Sequence, residues 1–231
     1  MLSIPSSPPT SNITRRKALV VGATDMIGGF LVNELLASPL YNEIHVLPRR
    51  SLGHPNAKLR ETIAEFDHLE NATPTVDDVF CCLGTAVNQA ASHAAFRRVA
   101  HDYVEAVARC ARDHSSQRFL MVSSIGADAT SENFYLRVKG KAESSVTACD
   151  YPELHIFRPS LLLGARPENR PAERLGRFFM RLTGPLLLFG LRQYRAVPAK
   201  RVAQAMANAA VTSTPGRHVH LFDDIVRLAG Q

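Results

Sequence analysis

The segment from Lys17 to Leu36 limits the fold of this chain more than any other. Lys17 to Val21 (KALVV) reads as a short buried strand, and Gly22-Ala-Thr-Asp-Met-Ile-Gly28 follows it directly. A helix comes next, with apolar Ile27, Phe30, Leu31, Leu35 and Leu36 at helical spacing. Strand, glycine turn and helix in direct succession are the context in which N–H groups at a helix start can meet a pyrophosphate. Gly22 is expected to permit the tight turn and Gly28 to let the helix approach the sheet. The turn reads G-x-x-D-x-x-G, so Asp25 stands where a middle glycine is usual. A carboxylate there opposes a phosphate, although Asp is also a common helix cap.

The pattern then recurs. Ser38-Pro39 ends the first helix, and further strands are expected at Ile44–Leu47, Thr62–Phe66, Val79–Leu83, Phe119–Val122 and Leu154–Phe157. They run into Pro48-Arg49-Arg50, Asp67, Gly84-Thr85, Ser123-Ser124 and Arg158-Pro159-Ser160 respectively. One long helix is expected over 91–111. Strands alternating with helices predict an α/β fold, a Rossmann-type doubly wound parallel sheet with helices on both faces. Gly22, Arg49, Asp67, Gly84, Ser124 and Ser160 then gather at the carboxyl edge of the sheet, where such folds bind ligands.

After Gly164 the pattern changes. Residues 172–182 are amphipathic, with Leu175, Phe178, Phe179 and Leu182 on one stripe, and read as a wall or lid over the site. Helices over 199–210 and 223–229 flank a strand at His218–Phe222. Residues 1–16, rich in Ser and Pro, read as a flexible tail, and 17–231 as one domain with substrate-side elements around 159–200.

The chemistry concentrates between Arg118 and Lys141. A buried strand delivers Ser123 and Ser124 to its end, and after a polar loop a helix carries Tyr135 and Lys139. Four residues apart, these two project from one helix face. An ammonium beside a phenol favours the phenolate, lowering a pKa that starts near ~10 and bringing the tyrosine into range as an acid or base. A serine hydroxyl nearby can hold the substrate oxygen that gains or loses the proton.

Composition narrows the alternatives. The chain has 231 residues and a formal charge of +6, with much of the basic excess between Arg158 and Arg201. That suits a phosphate-bearing cofactor, an anionic substrate or an acidic surface. Two arginines and no acid in Leu47-Pro-Arg-Arg50 favour a 2′-phosphate over a free ribose hydroxyl, so Arg49 and Arg50 point to NADP(H); ordinary surface charge is the plainer reading. Asp67 suits an adenine amino group or a turn. Four cysteines without a C-x-x-C pair read as reduced core thiols, and nine histidines lack metal spacing, so no metal is expected. There is no G-x-S-x-G elbow, no nucleic-acid reading motif, no secretory signal and no apolar run of spanning length. A cytoplasmic protein is expected.

With Gly22–Gly28, Arg49-Arg50, Cys82-Leu-Gly-Thr85, Ser123-Ser124, Tyr135-Leu-Arg-Val-Lys139-Gly140 and Phe157-Arg-Pro-Ser160 in place, the chain resembles an atypical short-chain dehydrogenase/reductase. More narrowly it resembles the branch of Tat-interactive-protein-like oxidoreductases, over nearly everything from Lys17 to Ala210. The resemblance implies that Tyr135 donates or accepts the proton, that Lys139 binds the nicotinamide ribose, and that Ser124, rather than Ser123, orients the substrate carbonyl. It implies that Thr24, Asp25, Met26 and Ile27 line the pyrophosphate, that Leu83, Gly84 and Leu162 pass beside the cofactor, and that Arg170 reaches a cofactor phosphate.

The expected activity is NADPH-dependent reduction of a small carbonyl compound with apolar surface. Members of this branch also have regulatory protein–protein roles, which leaves room for a protein partner or a homodimer. An NADPH-sensing binding protein with little turnover, kept open by Asp25, is the alternative; an epimerase or dehydratase holding its cofactor tightly is a third.

Overall fold

The structure is a computed structural model. It describes residues 15–48, 51–53, 55–64, 66, 69, 72–84, 90–163, 194–212 and 214–230.

Seven parallel strands form one sheet: β1 (Arg16–Val21), β2 (Tyr41–Val46), β3 (Leu59–Glu61), β4 (Asp78–Cys81), β5 (Arg118–Val122), β6 (Glu153–Phe157) and β9 (Gly216–His220), in the spatial order β3-β2-β1-β4-β5-β6-β9. The order reverses between β1 and β4, which opens a crevice beyond their carboxyl ends. Alternate strand residues face opposite layers. Val20, Ile44, Phe80, Leu120 and Phe157 pack with helix α1 (Met26–Ala37), helix α5 (Ala199–Thr212) and helix α6 (Phe222–Leu228). Leu19, Val79, Phe119, Met121 and Ile156 pack with helix α3 (Tyr103–Asp113) and helix α4 (Phe134–Thr147). The doubly wound sheet expected from the alternating pattern is therefore present.

Several boundaries differ from expectation, among them the second strand, which begins at Tyr41, three residues before Ile44. The third strand lies at Leu59–Glu61 and not at Thr62–Phe66. A turn at Asn56, whose Oδ1 accepts from the Lys58 N–H at 2.9 Å, delivers Leu59 beside Ile44, and Lys58 Nζ caps the carbonyls of Leu36 and Ser38. Ile63, within the stretch expected as a strand, faces solvent at 68% exposure. The long helix over 91–111 is interrupted: helix α2 (His93–Arg97) passes into a π-helical turn at Arg98–Asp102 before α3. The late strand begins two residues earlier than expected, because Glu153–Phe157 pairs with Gly216–His220. A small second sheet pairs β7 (Leu162–Leu163) with β8 (Val197–Pro198). The amphipathic stretch at 172–182 lies outside the described residues.

The opposite, amino edge of the sheet is fastened by polar groups. Tyr41, Asp78, Arg118 and Glu153 are the first residues of β2, β4, β5 and β6. Tyr41 donates to Asp78 (2.6 Å), and Arg118 donates to Asp78 (2.7 Å) and to Glu153 (2.8 Å). Glu153 then meets His155 (2.8 Å), which meets His220 on β9 (2.9 Å). Each buried charge has charged or hydrogen-bonding partners, the condition under which burial is tolerated.

Candidate functional site

The site is assembled where four chain segments leave the sheet at the crevice. After β1, Gly22 adopts a left-handed φ of +81°, and a Cβ there would stand 2.8 Å from the Cys82 backbone. Any side chain would push the turn off the end of β4. At Gly28 a Cβ would lie 2.0 Å from the Gly22 carbonyl, so the first turn of α1 is held directly against the glycine turn. Asp25 occupies the N-cap position of α1 with an ordinary extended backbone (φ −76°, ψ 163°). It makes no side-chain capping hydrogen bond, so capping does not explain it. Thr24 is exposed, Met26 partly buried and Ile27 buried in the core.

Opposite this turn, β4 is followed by Cys82, Leu83 and Gly84, with the Cys82 N–H donating to Val21 O (2.8 Å). Burial pushes the Cys81 thiol up to about 11 and raises Cys82 well above the usual range. Both are inert core thiols under ordinary conditions. Asp25 pushes each upward and Lys139 pulls each down, so the glycine turn and the helix lysine face the same strand end.

Helix α4 starts at an Asn133 cap whose side chain accepts from the Leu136 N–H (3.2 Å). Tyr135 sits half-buried in its first turn, with its ring 5.6 Å from that of Phe96 on α2. Phe96, Ala100 and Val138 form a small buried cluster beneath it. One turn later Lys139 is 4% exposed, and its Nζ reaches the Val122 carbonyl at 3.3 Å. A Cβ placed on Gly84 would lie 3.9 Å from the same Nζ. The ammonium therefore lies between the ends of β4 and β5.

The two serines after β5 differ sharply. Ser123 donates to Glu143 on α4 at 2.5 Å, and Glu143 also takes a two-point bond from Arg158 (2.9 and 2.6 Å). The Ser124 hydroxyl makes a long contact to its neighbour's carbonyl (3.3 Å to Ile125). Ser160 donates to the Arg195 carbonyl, tying the end of β6 to the segment before β8. A cleft of about 700 Å³ is lined by Gly140, Glu143, Ser144, Thr147, Arg158 and Arg217.

The structure thus brings Gly22, Thr24–Gly28, Leu83, Gly84, Ser124, Tyr135 and Lys139 to the carboxyl edge of the sheet. Leu162 is half-buried on β7. Arg49, Arg50, Asp67 and Arg170 lie outside the described residues. Sequence reasoning missed Glu143 and Phe96. Glu143 could have been found, since it lies one turn beyond Lys139 on the same helical face. No group of three or more His, Cys, Asp or Glu among the described residues could hold a metal ion. Among them, also, no helix is long and apolar enough to cross a membrane.

A crevice at the strand-order reversal, a glycine turn into a helix, and a buried lysine one turn after a tyrosine define a dinucleotide-binding domain of the dehydrogenase type. The chain belongs to the NAD-dependent epimerase/dehydratase family, whose pattern matches residues 18–218. It is 33% identical over 208 residues to Protein HTATIP2 of Rattus norvegicus, covering 87% of this chain and 84% of that protein. It is 32% identical over 206 residues to the mitochondrial protein fmp52 of Aspergillus clavatus, covering 85% and 88%. These relatives put it in the Tat-interactive-protein-like branch of the atypical short-chain dehydrogenases/reductases.

Among solved structures, it resembles a putative NAD-dependent epimerase/dehydratase from Bacillus halodurans (TM-score 0.67, 19% identity, 93% of this chain and 98% of that one). It also resembles MoeE5 in complex with UDP-glucose and NAD (TM-score 0.66, 18% identity, 92% and 80%). At these identities the likeness is one of fold.

Proposed function

We propose that the chain is an NADPH-dependent oxidoreductase that reduces a carbonyl compound with apolar surface. The observation that carries this reading is the placement of Lys139, a buried ammonium between the ends of β4 and β5, one helical turn from Tyr135. Burying an ammonium is costly, and the Val122 carbonyl at 3.3 Å is the dipolar partner that offsets the cost here. The cofactor's pyrophosphate would lie on the first turn of α1 and its nicotinamide ribose against Lys139. The cofactor supplies hydride to the carbonyl carbon. Tyr135 gives its phenolic proton to the carbonyl oxygen, and Ser124 donates a hydrogen bond to that oxygen. The ammonium of Lys139 stabilises the phenolate left behind.

NADP, in preference to NAD, rests on Arg49-Arg50 after β2. A calorimetric titration with NADPH and with NADH tests it; tight NADPH with weak NADH binding supports the reading, and the reverse overturns it. For turnover, NADPH oxidation is followed across a panel of apolar aldehydes, ketones and quinones. A Tyr135→Phe protein that binds cofactor and still turns over would sink the role given to the phenol.

One observation favours a second reading, a nucleotide-sensing protein with little chemistry of its own. Asp25 puts a carboxylate at the helix start without using it as a cap. Binding by Asp25→Gly but not by the wild type would mean that the site is closed to its cofactor. The cytoplasm is our assignment for this chain, whereas the fungal relatives are named mitochondrial; fractionation of the tagged full chain decides between them.

A further inference from the structure

We propose that Glu143 is a positioning residue of the site, holding the lysine-bearing helix in register with the end of β5. The inference rests on the reading of the crevice as a nicotinamide cofactor site and names a residue that reading does not use.

Glu143 is 3% exposed, and its carboxylate takes three donated bonds: Ser123 Oγ on Oε1, Arg158 Nε on Oε1 and Arg158 Nη2 on Oε2. A planar two-point arginine bond fixes direction as well as distance. Its partners come from the ends of two different strands, β5 and β6, so the carboxylate ties α4 to both. Lys139 lies about one turn earlier on the same face of α4, and its ammonium meets Val122, the residue before Ser123. Two successive turns of the helix are therefore fastened to two successive residues of one strand end. Either fastening alone would let α4 slide or roll about the other; together they set where Nζ stands.

The same arrangement sorts the serines. Because the Ser123 hydroxyl is given to Glu143, the hydroxyl left at the edge of the crevice belongs to Ser124. Glu143 itself is not a catalytic residue: its carboxylate is taken up by Ser123 and Arg158, with Arg217 3.8 Å away.

The test separates the nicotinamide half of the site from the adenosine half. Wild-type protein is titrated by calorimetry with NADPH and NADH. The tighter binder is carried forward with its own adenosine half, 2′,5′-ADP or ADP. Glu143→Gln keeps the side-chain volume but breaks the arginine fork. It is expected to weaken the dinucleotide about tenfold, as a small misplacement of a binding group does, while leaving the fragment unchanged. Ser123→Ala should lose part of the same affinity, and the double variant should be no weaker than Glu143→Gln, because both act along one path. A folded Glu143→Gln protein that binds both ligands as the wild type does, or loses both equally, overturns the proposal and leaves the cofactor reading standing. A wild type that binds neither dinucleotide overturns both. Should Glu143→Gln not fold, Ser123→Ala, which leaves the Arg158 pair in place, carries the same comparison.

Discussion

Lys139 and Val122 meet across the boundary between helix and sheet, with the ammonium Nζ 3.3 Å from the strand-end carbonyl. The carbonyl dipole lets a positive charge stay at 4% exposure, pointed at the crevice and not at water. Lys139→Met keeps the length of the side chain and removes its charge. Turnover is expected to fall by about 10²–10⁴-fold, the range for a disabled acid–base group. Dinucleotide affinity should fall with it, whereas Tyr135→Phe should lose turnover alone. Steady-state kinetics beside calorimetry distinguish the two.

Gly28 and Gly29 are neighbours in α1 with opposite surroundings. A Cβ on Gly28 would fall 2.0 Å from the Gly22 carbonyl, whereas one on Gly29 meets nothing nearer than 3.6 Å. Gly28→Ala must shift the turn and is expected to cost about 1–3 kcal/mol of stability. Gly29→Ala should stabilise by up to about 1 kcal/mol through helix propensity. Urea melts of the two variants should move in opposite directions, with cofactor affinity falling only in the first.

Tyr41→Phe removes the 2.6 Å bond to Asp78, which is fully buried at the amino edge of the sheet. Asp78 keeps its bond from Arg118, so the expected loss is that of one hydrogen bond to a charged acceptor, about 1.5–3 kcal/mol. The measurement is chemical denaturation at neutral pH. Cofactor binding should not change, because the edge lies opposite the crevice.

Stability should fall with acid through His155 and His220. As a carboxylate, Glu153 only accepts, so His155 donates from Nε2 and its Nδ1 accepts from His220 Nε2. These roles require both rings to be neutral, the form that their burial favours. Burial lowers both pKa values, that of His220 to about 4, with the neighbouring His155 adding to the effect. Burial works against the Glu153 carboxylate, yet bonds from His155 and the Thr214 N–H and the charge of Arg118 hold its pKa below normal. For all three the folded value is the lower one, so their stability contribution is complete above the unfolded histidine value of about 6.5. It is lost as pH falls towards 4, when the unfolded chain takes up protons first. His218, Asp224 and Arg227 face the pair as well. His220→Gln should flatten the decline of Tm between pH 6.5 and 4, and an unchanged slope would refute the assignment.

Much of this was legible in the sequence, and the exceptions have physical causes. The turn at Gly22–Gly28 was readable because a buried strand runs straight into Gly22 and an apolar helix begins four residues later. Tyr135 and Lys139 were readable through their spacing. The third strand was not, because its position follows from the Asn56 turn and from Lys58 capping α1, neither of which has a periodic signature. Glu143 was passed over because glutamates on helices usually face water, and nothing local reveals that Arg158 waits at the end of a later strand. The π turn at Arg98–Asp102 was hidden inside an apolar spacing that reads as unbroken α-helix.

That π turn bears on how this chain tolerates insertion and loss. It holds one residue more than an α-helical turn closes, so Phe96 arrives under the ring of Tyr135 while Val104 and Val107 still face the sheet. Deleting a single residue there would restore a regular helix and rotate everything before it by about 100°. The support under the tyrosine would swing away although no residue of the crevice had been touched.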